Sequence, residues 1–297
     1  MIFLIGGFGF IGCNILKELE SQNLLEKVIV IDDFSNASEK WKDFDVNFLK
    51  GDYSSKEILN EIKKIQLSNS KFVLLAGETR VAESSERPLD FLDSNIVKPS
   101  KLVDEVLKSG DELILISTAG ALYSGNTTIT LNLAPEPKNF YGTTKLVEEL
   151  ILQSLCKLKE IKFKIIRFTN VYGAYADKKK SALHAFVKRA LNKEAIIVNG
   201  DGNQKRDFIF ASDVAKSLIK VLNDQKEDSH IFAYGKSYAI NDIVKILQSK
   251  FTSLNVEFLK NNELIKTEPR NVEVSQSAIS KFFDGKVGLQ EGIEKLI

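Results

Sequence analysis

Six apolar runs rich in β-branched residues recur along the first 170 positions: MIFLI (1–5), KVIVI (27–31), VNFL (46–49), FVLLA (72–76), LILI (113–116) and KIIRF (164–168). Most are apolar nearly throughout rather than at alternate positions, the pattern of strands covered on both faces. Between most of them lie stretches with helical spacing, such as IGCNILKELES (11–21) and LVDEVLK (102–108). Strands alternating with helices predict an α/β fold, a doubly wound parallel sheet with helices on both faces and right-handed crossovers. Beyond about residue 170 the pattern changes. Loops lengthen, as in GAYADKKKS, NGDGNQKRD and KNNELIKTEPRN, and short strands and helices mix. The expected division is a main domain over 1–170, to which parts of 200–235 return, and a smaller mixed lobe over 171–297. The lysine run 178–180 reads as a solvated loop.

Composition narrows the classes. The chain has 297 residues, of which 43% are hydrophobic, enough for a sizeable core. Its 41 basic and 40 acidic residues leave a net charge of +1. No global charge favours nucleic acid or an anionic membrane, so any anion site must come from local groups. Cys13 and Cys156 are far apart and lack metal-ligand spacing, which suits a reducing cytosol. His184 and His230 are also far apart, so no metal site is expected. The N-terminal MIFLIGGFGFIG lacks a basic leader, and no apolar run approaches the ~20 residues that span a bilayer. A cytoplasmic protein is expected.

The first strand runs into FLIGGFGFIG, with glycines at 6, 7, 9 and 12. Gly7, Gly9 and Gly12 satisfy G-x-G-x-x-G, and Gly6, Gly9 and Gly12 the looser G-x-x-G-x-x-G. Glycine permits the tight turn, the approach of backbone to a pyrophosphate, and close packing of helix on strand. The helix then offers free N–H groups to phosphate. The second strand ends in Asp32, twenty residues past Gly12, where an acid accepts hydrogen bonds from the adenosine ribose. Together these make a Rossmann-type dinucleotide signature. Asp33 adds a charge that would repel a 2′-phosphate, which favours NAD over NADP. Asp52, in GDYS after the third strand, is either an adenine contact or a turn residue.

In NFYGTTKLVEE (139–149), Tyr141 and Lys145 stand four apart and share one helical face. A phenol has a pKa of about 10, and a nearby ammonium lowers it. The pair is expected to act as a general base toward an alcohol while hydride leaves the same carbon. Upstream, LILISTAGALYSG ends the fifth strand with Ser117 and Thr118, at the carboxyl edge where open α/β sheets bind ligands.

These motifs resemble the extended short-chain dehydrogenase/reductase family, in its nucleotide-sugar epimerase and dehydratase branch. The resemblance rests on GGFGFIG (6–12), IDDFSN (31–36), LLAGETRV (74–81), ISTAGALYSG (116–125), YGTTK (141–145), RFTNVYG (167–173), GDGNQKRDFIFASDVA (200–215), EPRNVEVS and LQEGI (289–293). They occur in family order over nearly the whole chain. It implies catalytic roles for Tyr141 and Lys145, with a Ser or Thr ending the fifth strand. Aligned on Tyr123, the usual hydroxyl position falls on Ala119, which leaves Thr118 as the nearest hydroxyl and Ser117 second. The acid pair of the dehydratases is replaced by Ala119 and Gly120, which disfavours elimination of water.

The resemblance further implies that NAD meets Gly6, Gly9, Phe10, Ile11, Gly12, Asp32, Asp33, Ser35, Asn36, Asp52, Tyr53, Leu75, Ala76, Gly77 and Asn95, besides Tyr141 and Lys145. Glu78 and Arg80 would face a sugar, and Asn170, Arg206 and Arg270 a diphosphate, which guanidinium forks pair bidentately. The implied activity is that of a nucleotide-sugar epimerase inverting C4 through a transient 4-keto-sugar. Two alternatives stay open: a nucleotide-sugar oxidoreductase, and a non-catalytic NAD-binding protein. Helices around 89–108 and 141–158 resemble those of a four-helix homodimer interface, and the family-level role is polysaccharide biosynthesis.

Overall fold

The structure is a computed structural model that describes residues 1–123, 125, 127–226, 229–259 and 269–297. The stretch KNNELIKTE (260–268), expected as part of a loop, lies outside the described residues. All six apolar runs are strands, displaced by no more than two residues at either end: β1 (Ile2–Ile5), β2 (Val28–Asp32), β3 (Asn47–Lys50), β4 (Lys71–Leu74), β5 (Glu112–Thr118) and β6 (Lys162–Phe168). A seventh, β10 (Ser229–Phe232), pairs with β6 from beyond residue 200. The sheet is parallel throughout, in the order β10-β6-β5-β4-β1-β2-β3. The chain steps outward from β1 to β3, then returns to β4 on the other side of β1. That reversal between β1 and β4 leaves a crevice at their carboxyl ends, where ligands bind in such sheets.

Period-two alternation divides the strand residues between two cores. Phe3, Ile5, Phe72, Leu74, Leu113 and Leu115 face one side, under Leu59 of α2 (Lys56–Ile65), Leu102 of α5 (Lys98–Glu105) and Leu152 of α6 (Phe140–Leu158). Leu4, Val30, Val73, Ile114 and Ile166 face the other, under Leu16 of α1 (Phe10–Ser21) and Leu218 of α8 (Ala211–Asn223). Short helices α3 (Val81–Glu86) and α4 (Pro88–Leu92) and a π-helical turn, Asp93–Val97, lead into α5. The helical pattern 102–108 overruns α5, which stops at Glu105. The buried Asp111 carboxylate accepts from the backbone of Lys108 and Ser70 and from Gln66, turning the chain toward β5.

The remaining elements build a smaller cluster. β7 (Asn170–Tyr172), β9 (Lys205–Phe210) and β11 (Ser237–Ala239) form a three-stranded sheet, and β8 (Ile196–Asn199) pairs with β12 (Val256–Leu259). With α7 (Ala182–Leu191), α9 (Ile240–Lys250) and the C-terminal helix Leu289–Glu294, they enclose Tyr172, Phe186, Phe208, Ile243, Leu247 and Ile293. Among the described residues no helix is long and apolar enough to cross a membrane.

Candidate active site

The glycine loop follows β1 into α1. Gly6 has φ +76°, and a Cβ there would lie 2.9 Å from the Ala76 nitrogen. At Gly12 a Cβ would lie 2.2 Å from the Gly7 carbonyl oxygen, so only glycine lets α1 start this close to the loop. Gly9 begins α1 and no side chain caps it. The N–H groups of Phe10, Ile11 and Gly12 have no intrahelical acceptor and suit a phosphate. On the opposite wall, Leu75 and Ala76 donate to the Ile5 carbonyl, each at 2.9 Å.

Asp32 closes β2 and is buried. Its Oδ2 accepts from Phe8 N at 2.9 Å and its Oδ1 from Phe34 N at 2.8 Å. Burial pushes its carboxyl pKa above the usual carboxylate range, and the two N–H groups oppose that shift. The acid is thus fixed against the glycine loop, and each oxygen keeps a lone pair for a ribose hydroxyl. Asp33 is exposed and accepts from the backbone and hydroxyl of Ser35, and Asn36 is exposed beside them. Asp52 pairs with Lys98 at 2.8 Å; burial raises its carboxyl pKa, but Lys98 and Ser54 bring it below its ordinary value. Tyr53 belongs to the core, with its hydroxyl buried and unpartnered among the described residues. The pattern did not reveal the aromatic cluster of Phe8, Phe34, Trp41 and Phe48 beside Asp32, with ring centroids 4.8–5.9 Å apart.

Asn95 is fully buried in the π-helical turn. Its Oδ1 accepts from Glu78 N at 2.9 Å, and its Nδ2 donates to Glu78 O at 3.1 Å and Thr144 Oγ1 at 3.3 Å. It pins the Gly77–Glu78 turn to α6. Arg80 is bound to Glu83 at 2.6 Å, which also holds Arg87.

Asn139 caps α6, accepting from Gly142 N at 2.8 Å, and sets Tyr141 in the first turn. Tyr141 is buried and edge-on to Phe91, with the Thr118 hydroxyl at the end of β5 easing its ionisation. Thr118 Oγ1 also accepts from Ala121 N at 3.2 Å. The neighbouring Ser117 hydroxyl is buried without a partner among the described residues. Ala119 is fully buried, and neither it nor Gly120 supplies an acid.

One electrostatic expectation fails. The spacing casts Lys145 as the cation that acidifies Tyr141. Instead Lys145 donates to the Ile116 carbonyl at 2.9 Å and is ion-paired with Glu148, one turn further along α6. Burial pushes the phenol of Tyr141 above its ordinary pKa, the Glu148 carboxylate adds to that, and the Thr118 hydrogen bond opposes it. Glu148 is itself fully buried, and burial pushes it up to about 7 against the pull of Lys145. The motif concealed this because the i+4 rule names which groups share a face but not which partner the ammonium chooses. Beside it, Glu149 holds Arg167 bidentately, at 3.0 and 2.6 Å.

In the smaller cluster Asn170 Nδ2 donates to Asp207 O at 3.2 Å. Arg206 Nη1 donates to the Arg270 carbonyl at 2.9 Å, so two arginines far apart in sequence meet beside β9. Arg270 also pairs with Asp201 at 3.1 Å.

Comparison with known proteins places these features. A UDP-glucose 4-epimerase, so named provisionally, from Methanocaldococcus jannaschii is 28% identical over 309 residues, covering 100% of this chain and 97% of that protein. The solved UDP-glucose 4-epimerase of Thermotoga maritima with UDP-glucose shares the fold at TM-score 0.86 and 23% identity, over 99% of this chain and 96% of that one. The UDP-glucuronic acid 4-epimerase of Bacillus cereus, solved with UDP-glucuronic acid and NAD, does so at TM-score 0.87 and 23% identity, over 99% and 96%. The family model of the NAD dependent epimerase/dehydratase family matches residues 2–235. By that match, over a glycine cradle and an Asp32 that suit the dinucleotide, the chain belongs to the NAD dependent epimerase/dehydratase family and its cofactor is NAD.

Proposed function

We propose that the protein is a UDP-sugar 4-epimerase that inverts a hexose carbon through a transient 4-keto-sugar, with Tyr141 as the general base. The observation that carries this reading is the burial of Tyr141 beside Thr118 at the carboxyl end of β5, with Lys145 one turn behind and no acid at Ala119 or Gly120 to eliminate water. The names of the relatives support the uridine nucleotide and C4.

NAD, when bound, supplies a hydride acceptor that returns the hydride within the same turnover. Tyr141 takes the proton from the C4 hydroxyl and later gives it back. Thr118 holds the phenol in line and shares the hydrogen bond of the reacting oxygen. Burial of Tyr141 keeps competing water away. Arg206 and Arg270, neighbours at β9, hold the diphosphate, and Asn170 borders it. The segment beyond residue 170 serves as the sugar-nucleotide lobe, except where β10 and α8 join the main sheet. Leu89, Leu92, Val97, Leu150 and Leu158 are exposed along α4–α6 and support a homodimer through those helices.

The test is incubation with UDP-glucose and with UDP-glucuronate, separating the C4 epimers. The expected result is interconversion with no net NADH. Stoichiometric NADH formation without an epimer would overturn the reading in favour of an oxidoreductase.

A further inference from the structure

Glu148 is a buried carboxylate for which the mechanism above has no use. It lies one turn beyond Lys145 on α6 and has no exposure to solvent. Neither of its oxygens receives a well-formed hydrogen bond among the described residues, and its compensation is the ion pair with Lys145. An isolated buried carboxylate is costly, so the pair stays together only while Glu148 is charged.

Among the described residues, Lys145 is the cation that acts on Glu148. From α6 itself the groups facing Glu148 are Lys145, Glu149 and Tyr141, and Glu149 is spent on Arg167. On β5 the Ile116 carbonyl accepts from Lys145. From the turn after β3 comes Tyr53, whose phenol is pushed well above its ordinary pKa by burial first and by Glu148 next. Around Tyr53 lie Asp52 and Asp93, both within reach of Lys98. The ammonium of Lys145 is held by Glu148, while Tyr141 stands four residues before it on the same helix.

We propose that Glu148 is a positioning residue for the Tyr141–Lys145 pair: charged, it holds the Lys145 ammonium away from the phenol, and neutral, it releases that ammonium to stabilise the Tyr141 phenolate. The proposal rests on the reading of Tyr141 as the base given above. Its chemistry is a coupled titration. The form with Glu148 neutral and Tyr141 ionised is the one able to accept a substrate proton. Uptake of a proton by Glu148, raised by burial to about 7, removes the charge that opposes ionisation of Tyr141.

The decisive measurement uses the purified protein without substrate or added cofactor. The near-ultraviolet phenolate band is titrated in wild type and in Glu148→Gln, each against its own Tyr141→Phe background to isolate Tyr141. We expect Glu148→Gln to lower the Tyr141 midpoint by about one pH unit, roughly tenfold in acidity. An unchanged or higher midpoint overturns the proposal. Should Glu148→Gln fail to fold, Glu148→Met keeps the volume without the charge. The wild-type protein carries a further test, in which isotope-edited carboxyl spectra must show one buried glutamate titrating in the ion pair near neutrality, and its absence overturns the proposal equally. In turnover, Glu148→Gln should move the acid limb of the kcat/KM profile to lower pH without raising KM, a change that mere loss of packing does not produce. The titration reads the coupling alone, whereas loss of activity in Tyr141→Phe reads the assignment of the base, so the two claims fail separately.

Discussion

The Thr118 hydroxyl at the end of β5 faces the Tyr141 phenol in the first turn of α6 and eases its ionisation. Ser117, one residue earlier, is buried with its hydroxyl unpartnered among the described residues. Successive strand residues point to opposite faces, so only one of the two can serve α6. Thr118→Val removes the hydroxyl while keeping the shape. It should cost about 1–1.5 kcal/mol in the transition state, roughly tenfold in kcat. Ser117→Ala should change kcat by less than about twofold. Parallel kinetics on the two variants check the assignment, and a larger loss in Ser117→Ala would reverse it.

Tyr141→Phe keeps the ring against Phe91 and deletes the proton acceptor. Turnover should fall by about 10²–10⁴-fold, the usual worth of a placed general base. Cofactor content of the purified protein, read from its absorbance after release, should stay at the wild-type level because the glycine cradle is untouched.

The sequence revealed the sheet, the glycine turn and the place of Asp32 well because their signals are local. A strand buried on both faces must be apolar almost throughout, and all six such runs are strands. Gly12 and Asp32 sit where a short turn and the end of a strand dictate, independently of the rest of the chain. What escaped were choices made in three dimensions. Lys145 has two claimants at helical spacing, and only burial of the inward face of α6 gives the ammonium to Glu148. Helix α5 stops short of its own periodicity because Asp111 captures the Lys108 backbone. Arg206 and Arg270 meet through a bridge between Lys205 and Asn271 that no local pattern announces.

Asp32 does two jobs. It satisfies the N–H groups of Phe8 and Phe34, and we propose that its remaining lone pairs accept from the cofactor ribose. Asp32→Asn keeps the shape but offers one acceptor oxygen in place of two. One of the two N–H groups is then left unsatisfied, at a cost of about 1–3 kcal/mol in stability. NAD affinity should fall about ten- to a hundredfold as a charge-assisted bond to the ribose is lost. Trp41, the only tryptophan of the chain, touches Phe34 at 5.0 Å between centroids, so its fluorescence on titration with NADH reads that affinity.

His184 ties α7 to the end of β7. Gly173 N donates to its Nε2 at 3.2 Å, Ser181 Oγ lies 2.7 Å from Nδ1, and Phe10 of the cofactor loop meets its ring edge-on. Burial lowers its pKa to about 4, the Gly173 bond opposes that, and Lys179 adds to it. A histidine whose folded pKa is depressed stabilises the fold fully above its unfolded value of about 6.5. That contribution is lost as pH falls toward 4, because the unfolded chain takes the proton first. Glu148 runs the other way. Its folded pKa is raised, so its contribution is present below about 4.5 and lost as pH rises through about 7. The two overlap in the window between, and a wild-type stability profile alone would blend them. The difference between wild type and His184→Gln isolates the first. Measured by chemical denaturation from about pH 7 to pH 4.5, the advantage of wild type over His184→Gln should shrink by up to about 3 kcal/mol. Glu148→Gln compared in the same way should show the opposite slope, with wild type losing ground as the solution becomes more alkaline. A flat difference for His184→Gln would mean that the ring takes up its proton as readily folded as unfolded, and hence that the contact with Phe10 and Gly173 leaves it open to water.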